Sequence, residues 1–164
     1  GADGVDFVAL LGWARGGQGS GGRAADYRCQ GDARLRAWLE NNGDSATYRA
    51  VCGDCNNARR DEDVHDPVLW RGAIMCSEGE RAAFQQLCDL GLTDTLRLHH
   101  PEAGLFSWWD YRMLAFPKNR GLRIDAILAN ASLAANCTAA GIDREMRKGK
   151  EPSDHAPVWA EFEL

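Results

Sequence analysis

Short apolar runs recur along the chain and indicate strands. The runs lie at residues 5–11, 48–52, 122–129 and 156–162. Each has the length of a β-strand, and polar or turn-forming residues separate it from the next element. We therefore predict four strands.

Two segments, at residues 32–41 and 77–90, show the spacing of apolar positions that is typical of helices with one buried face. Ser77 is the predicted N-cap of the second helix, and Gly91 follows its last apolar position. Strands that alternate with helices and long loops predict an α/β or α+β layered fold.

Residues 15–22 form the one low-complexity stretch, in which five of eight residues are glycine. We predict a flexible Gly-rich loop there. The chain shows no internal repeat, and its 164 residues suffice for one domain, residues 1–164.

The composition, 45% hydrophobic and 26% charged residues, is typical of a globular protein and excludes collagen-like and wholly disordered chains. No apolar run reaches the roughly 18 residues of a spanning helix. The first residues contain no basic leader of a secretory signal. We therefore expect a monomer in the cytoplasm, without a membrane partner.

The net charge of −5 excludes a general polyanion binder, but the cations are unevenly distributed. Residues 111–124 contain four cations and no acid, and residues 144–150 contain four cations and one acid. Solvated surface charge explains any single tract. Two basic tracts on an acidic chain also suggest one polyanion-binding face.

Six cysteines occur, and Cys52 and Cys55 form a CxxC pair. A structural zinc site needs a second closely spaced pair, which the sequence lacks. The chain is also long enough to form a core without disulfides. We predict reduced thiols.

Asp54 and Asn56 follow a predicted strand and are two residues apart, so an extended backbone would point both side chains to the same face. An acid beside an amide can orient a water molecule and hold a phosphoryl oxygen. A turn after the strand is an equally good explanation, because Asp and Asn favour turns.

Asp154 and His155 precede the last predicted strand and could place an imidazolium beside a phosphate. A turn that Ser153 or Asp154 caps, with a partly exposed histidine, is the alternative. No serine or cysteine occurs in a nucleophile-elbow pattern, which argues against covalent catalysis.

Asp125 lies within an apolar strand pattern, where a carboxylate is costly unless it is hydrogen-bonded, ion-paired or metal-bound. Arg123 would share its face of the strand and is the structural candidate for its partner. We favour a functional placement of Asp125.

The segment 107–112 combines two tryptophans and a tyrosine with Arg112. Aromatic side chains can stack on bases or fill a sugar pocket, and arginine can neutralise phosphate. Core packing is the default for such residues, and we expect at least one of the two tryptophans in the core.

Five segments resemble the exonuclease III type of AP endonuclease, within the endonuclease/exonuclease/phosphatase superfamily. They are residues 53–56, 61–67, 106–112, 119–125 and 152–158. The first and last mark only the superfamily, which also includes lipid and inositol phosphatases. The motifs WWDYR and NRGLRID, in this order and spacing, are specific to the DNA-repair branch.

The resemblance implies a Mg²⁺- or Mn²⁺-dependent phosphodiesterase that cleaves double-stranded DNA on the 5′ side of abasic sites and removes nucleotides from 3′ ends. Asp54 would orient or deprotonate the attacking water, and Asn56 would hold this water and a phosphate oxygen. His155 would bind the phosphoryl oxygens, and Asp154 would support the histidine or a metal ion. Asp125 would act near the leaving group and the histidine.

The resemblance also implies DNA contacts. Trp108 and Leu122 would line the pocket for the abasic sugar, and Arg112 would contact a backbone phosphate. Trp13 would take the place of a tyrosine in a phosphate-facing loop.

The family has a further N-terminal part, which supplies a metal-binding glutamate in an LQE-type motif that this sequence lacks. The resemblance thus implies the C-terminal portion of a layered α/β sandwich without its N-terminal part. We expect these residues alone to cleave abasic DNA poorly or not at all. The alternatives are another phosphatase or phosphodiesterase of the superfamily and a DNA-binding module without turnover.

Overall fold

The computed structural model describes residues 5–9, 22–43 and 47–164. Six strands and five α-helices alternate along this part of the chain, and two 3₁₀-helices lie at Asp61–Asp63 and Arg144–Lys148. In chain order the elements are β1 (Val5–Ala9), α1 (Gly22–Asn42), β2 (Tyr48–Asp54), α2 (Pro67–Trp70), α3 (Glu78–Cys88), β3 (Thr93–Asp94), α4 (Thr95–His99), β4 (Asp125–Ala129), α5 (Ala131–Ala134), β5 (Cys137–Ile142) and β6 (Val158–Phe162).

The strands form two sheets. Four of them make a mixed sheet in the order β1-β2-β4-β3, in which β1 is parallel to β2 and the other neighbours are antiparallel. The strands β5 and β6 make a two-stranded antiparallel sheet. The layered α/β fold predicted from the sequence is confirmed.

Alternate residues of β2 face two different layers, because successive side chains of a strand point to opposite faces. Val51 packs with Leu39 of α1 and Phe84 of α3 in one buried cluster. Ala50 packs on the opposite face with Leu133 of α5. The four-stranded sheet therefore lies between a helical layer and a second, mixed layer.

The helix α3 begins as its sequence predicts. The Ser77 hydroxyl accepts a hydrogen bond from the Glu80 amide, and the Glu80 carboxylate accepts one from the Ser77 amide. This reciprocal capping box pairs two amides that a helix N-terminus otherwise leaves without acceptors. The prediction of Ser77 as N-cap is confirmed.

Other predicted boundaries were wrong. The helix α1 begins at Gly22 rather than at residue 32, because Gly31 weakens a helix by only about 1 kcal/mol relative to alanine and does not interrupt it. Gly22 thus belongs to a helix and not to the predicted loop, whose residues 15–21 lie outside the described residues. The strand β4 begins at Asp125, three residues later than predicted.

A buried ion-pair network lies beneath the loops. Arg123 contacts Asp63 at 2.6 Å and Asp94 at 2.7 Å, and all three side chains are at most 5% exposed. Arg97 also contacts Asp63, and Arg59 contacts Asp94 at 2.7 Å. The network joins the 3₁₀-helix Asp61–Asp63 to β3 and to the segment that precedes β4.

None of the helices in the described residues combines the length and apolar character that crossing a lipid bilayer requires.

Candidate active site at the end of the main sheet

Two carboxylates face each other where the ladder between β2 and β4 ends. Asp54 is the last residue of β2 and is the register partner of Asp125, the first residue of β4. Gly53 has a φ of 147°, which favours glycine at the position before Asp54. Because like charges on directly opposed residues are destabilising, this pair needs a compensating cation or proton.

His155 supplies a group between the two carboxylates. Its Nδ1 lies 2.9 Å from Asp125 Oδ2, and its Nε2 lies 3.9 Å from Asp54 Oδ2. A carboxylate oxygen accepts hydrogen bonds, so Nδ1 is the donor in the shorter contact. One ligand atom from each of these three side chains lies within 4.8 Å of the others.

The carboxylates and burial act on the pKa of His155 in opposite directions. Burial lowers it, but the hydrogen bond to Asp125 and the charges of Asp125, Asp54 and Asp154 outweigh burial, so the pKa lies above its ordinary value. Burial raises the pKa of Asp54, and the Asn56 amide only partly offsets this. Both shifts favour protonation of the site.

The segment after Asp54 is a turn that also presents an amide side chain. Asn56 has a φ of 47°, and its backbone amide donates to Asp54 Oδ1 at 2.9 Å. This is the turn that the sequence suggests as an alternative. The Asn56 Nδ2 is nevertheless buried and has no hydrogen-bond partner among the described residues. Such a donor indicates room for an acceptor from a ligand or a water molecule.

Asp154 bonds to both tryptophans of the aromatic segment, and its charge helps to raise the pKa of His155. Its Oδ2 accepts a hydrogen bond from Trp108 Nε1 at 2.9 Å, and its carbonyl accepts one from the Trp109 amide at 3.0 Å. It does not belong to the group of potential metal ligands that Asp54, Asp125 and His155 form. The two tryptophans therefore fix the backbone and side chain of Asp154.

Arg123 is not the partner of Asp125, although the sequence made it the structural candidate for that role. The arginine lies before β4 begins, where its amide donates to the Asp63 carbonyl at 2.8 Å and its side chain turns into the buried network. Asp125 instead pairs with His155. The prediction that Asp125 needs a partner is confirmed, with a different partner.

The tryptophans of the aromatic segment divide between core and site. Trp109 is fully buried and lies edge-on to Phe116, with ring centroids 5.1 Å apart, which confirms the prediction that at least one tryptophan is in the core. Trp108 is half-buried beside Asp154. Leu122 is 0% exposed, so its side chain contacts protein rather than an open sugar pocket.

The two basic tracts do not form a single exposed face. Arg123 is buried in the ion-pair network, and Arg147 is buried under Tyr111 and Phe116, with cation–π distances of 5.4 and 4.9 Å. Arg112 is exposed and forms a two-pronged contact with Asp110, at 2.6 and 3.0 Å. The prediction that both tracts build one polyanion-binding face was wrong for Arg123 and Arg147, because both side chains are buried.

Sequence reasoning missed two residues that shape the site. Ser107 is fully buried and bonds to the backbone of β4, and no sequence signal distinguished it from its aromatic neighbours. At Gly121 a Cβ would lie 2.6 Å from Trp109 Nε1 and 2.8 Å from the Trp108 carbonyl oxygen. The glycine in NRGLRID could have revealed this close approach. Trp13 lies outside the described residues.

We expect His155 to stabilise the fold more at low pH than at high pH. Because its pKa is raised on folding, its contribution is fully present below the ordinary value of 6.5 and is lost as the pH rises through the folded value. The difference in unfolding free energy between the native chain and His155→Gln, measured in urea, should therefore shrink with rising pH. His99→Gln, at an exposed position of α4, controls for the substitution. A difference that grows with pH would contradict the pairing.

The sequence of this chain matches a known protein family and a curated relative. The model of a family described as the Endonuclease/Exonuclease/phosphatase family matches residues 13–155. Exodeoxyribonuclease III from Haemophilus influenzae is 42% identical over 137 residues, which cover 79% of this chain and 51% of that protein. The chain thus spans about half the length of this relative.

Solved structures with the same fold cover nearly the whole chain. An AP endonuclease from Archaeoglobus fulgidus has a TM-score of 0.87 at 30% identity, covering 98% of this chain and 62% of that chain. A 3′ phosphatase from Neisseria, bound to product DNA hairpin, has a TM-score of 0.86 at 38% identity, with the same two coverages of 98% and 62%.

Proposed function

Because the chain belongs to the Endonuclease/Exonuclease/phosphatase family, we propose that it is a DNA-repair phosphodiesterase of the exonuclease III type, acting as a monomer in the cytoplasm. Its substrates would be abasic sites and 3′ ends of duplex DNA. The observation that carries this proposal is the group of Asp54, Asp125 and His155 at one end of the sheet. The Haemophilus influenzae relative and the DNA-bound Neisseria neighbour support DNA as the substrate class.

Asp54 would be the base of the reaction. Hydrolysis of a phosphodiester needs a water molecule that loses a proton as it attacks phosphorus. The raised pKa of Asp54 makes its carboxylate a better proton acceptor than an exposed aspartate. The unpaired Nδ2 of Asn56, two residues away, would hold a phosphoryl oxygen or the water.

His155 would stabilise the negative charge that develops on the phosphoryl oxygens. Asp125 holds its Nδ1, which leaves Nε2 to face a substrate. The raised pKa of His155 favours the imidazolium, the form that carries the positive charge. This assignment requires no covalent nucleophile.

The donor atoms of the site fit a hard divalent cation. Carboxylate oxygens are the ligands that Mg²⁺ and Mn²⁺ favour, and Asp54 and Asp125 present theirs together. Asp154 is not one of these ligands and would act on the site through its charge, which helps to raise the pKa of His155. When bound, the ion would neutralise charge on the reacting phosphate.

DNA would lie across the exposed surface beside the site. Arg112, Lys118 and Arg120 are exposed on the loop that follows the two tryptophans and would neutralise backbone phosphates. Trp108 would line the sugar pocket, because it is half-buried and bonded to Asp154. Leu122 would hold the backbone of Trp108 in place through the antiparallel bridge between these two residues.

A single-turnover incision assay tests the proposal. With the protein in excess over a duplex that carries one abasic site, and with Mg²⁺ present, we expect a slow nick on the 5′ side that EDTA abolishes. Asp54→Asn and His155→Gln should each slow it roughly 100-fold or more, as expected for loss of an acid–base group. His99→Gln, at an exposed position of α4, should leave the rate unchanged.

Two outcomes would favour the alternatives. Turnover of a phosphoinositide but not of abasic DNA would indicate a phosphatase or lipid phosphodiesterase of the same family. Salt-dependent DNA binding that survives Asp54→Ala and yields no product would indicate a binding module.

A further inference from the structure

Ser107 lies at the crossing of the segments that build the site. It is 0% exposed, and its backbone amide donates to the Leu122 carbonyl at 3.0 Å. Its hydroxyl oxygen accepts hydrogen bonds from the amides of Ile124 and Asp125, both at 3.1 Å. Its carbonyl accepts one from the Ala156 amide at 2.7 Å. One small residue thus contacts both the start of β4 and the segment that contains His155.

The Ser107 hydroxyl serves as a hydrogen-bond acceptor for two backbone amides at the start of β4. The ladder between β2 and β4 ends at the pair of Asp54 and Asp125. The amides of Ile124 and Asp125 therefore lie where the regular pairing of these two strands ends. A buried amide without an acceptor is destabilising. The Ser107 hydroxyl supplies the acceptor and thereby fixes the backbone from which the Asp125 carboxylate projects.

The carbonyl of Ser107 fixes the opposite partner. Ala156 follows His155 directly, and the neighbouring Trp108 forms a backbone bridge with His155. The backbone on each side of the 2.9 Å contact between His155 Nδ1 and Asp125 Oδ2 is therefore attached to Ser107 or to the residue after it.

We propose that Ser107 is a positioning residue for the hydrogen-bonded pair of Asp125 and His155. It acts through backbone amides, by holding the two main-chain segments at the separation that the side-chain hydrogen bond requires. Its importance for catalysis rests on the proposed function, but its effect on the pair does not. A residue that only fills space would be replaced without consequence by alanine, which is close to serine in size.

The tautomer of the His155 ring tests this role without an activity assay. In long-range ¹H–¹⁵N spectra, at one pH at which the ring is neutral, the native chain should show the proton on Nδ1, because Asp125 accepts it. In Ser107→Ala the ratio of the Nδ1–H to the Nε2–H form should fall roughly 5-fold or more, the change expected when about one hydrogen bond is lost. Ser107→Cys, which keeps a weaker acceptor, should give a smaller fall and serves if the alanine variant does not fold.

Thr95→Val is the matched control. Thr95 is also buried, at 1% exposure, and its hydroxyl also bonds to β4, donating to the Ile127 carbonyl at 2.9 Å. This variant should lose stability much as Ser107→Ala does but should keep the native tautomer ratio. An unchanged ratio in both Ser107 variants, or an equal fall in Thr95→Val, would overturn the proposal.

Activity then separates the two hypotheses. If the chain nicks abasic DNA, Ser107→Ala should lower kcat more than it changes KM, because it disturbs the reacting groups rather than the DNA surface. A shift in tautomer in a chain that cleaves no DNA would support the role of Ser107 and contradict the proposed function. Nicking by Ser107→Ala at the native rate, with the native tautomer, would contradict the role of Ser107 alone.

Discussion

Replacing Arg123 with methionine should lower the free energy of unfolding by about 3–5 kcal/mol, the loss typical of breaking a buried ion pair from one side. The guanidinium is 3% exposed and holds Asp63 and Asp94 at 2.6 and 2.7 Å. Without it, two buried carboxylates lose a partner at once. Burial raises the pKa of Asp63, but the charges and hydrogen bonds of Arg123 and Arg97 outweigh burial and hold it below its ordinary value.

Urea denaturation followed by circular dichroism measures this loss. Lys148→Met is the control, because Lys148 forms an ion pair of similar length, 2.7 Å with Glu145, on the exposed surface. Exposed pairs are typically worth about 0–1 kcal/mol, so this variant should unfold close to the native midpoint. If the two variants lose similar stability, the buried network does not support the fold as its geometry implies.

Gly121→Ala should be the second severe substitution, although it adds a single methyl group. The new Cβ would lie 2.6 Å from Trp109 Nε1, 2.7 Å from Phe106 Cβ and 2.8 Å from the Trp108 carbonyl oxygen. The Phe106 Cβ and the Trp108 carbonyl oxygen cannot move away by a side-chain rotation. We expect a loss of about 1–3 kcal/mol from overpacking, with displacement of both tryptophans.

Thermal unfolding and the near-ultraviolet circular dichroism of the tryptophans report these two effects together. Gly79→Ala provides the control, since Gly79 lies in α3 and a Cβ there would meet nothing within 4 Å. That substitution should be neutral or should stabilise the helix by up to about 1 kcal/mol. An unchanged melting temperature together with an unchanged tryptophan signal in Gly121→Ala would contradict this prediction.

The sequence predicted the elements whose apolar pattern is strong and local. The strand β2 and the helix α3 were predicted because their buried residues follow one period and turn or capping residues limit them. The strand β5 was missed because its sequence, CTAAGI, has little alternation, and its pairing with β6 depends on residues far along the chain. The start of α1 was missed because residues 22–31 lack the regular apolar spacing of residues 32–41.

For the site, the chemistry-bearing residues were predictable but their partners were not. A carboxylate in an apolar strand signals that Asp125 needs a partner. Whether this partner is Arg123 or His155 depends on where β4 begins and on how residues 154–156 return to it. Ser107 shows the same limit, because its role consists of contacts with backbone amides, which leave no mark on the composition of the sequence.

Cys76 lies in the core beneath the site, so the reactivity of its thiol can report when that core opens. The thiol is 3% exposed and packs in one cluster with Leu122 and Ile124, the residues that connect the tryptophan segment to β4. Burial raises its pKa to about 11, so little of the reactive thiolate is present near neutral pH. Alkylation of Cys76 should therefore proceed only when this buried cluster opens transiently. The alkylation rate would measure how often the core beneath the site opens.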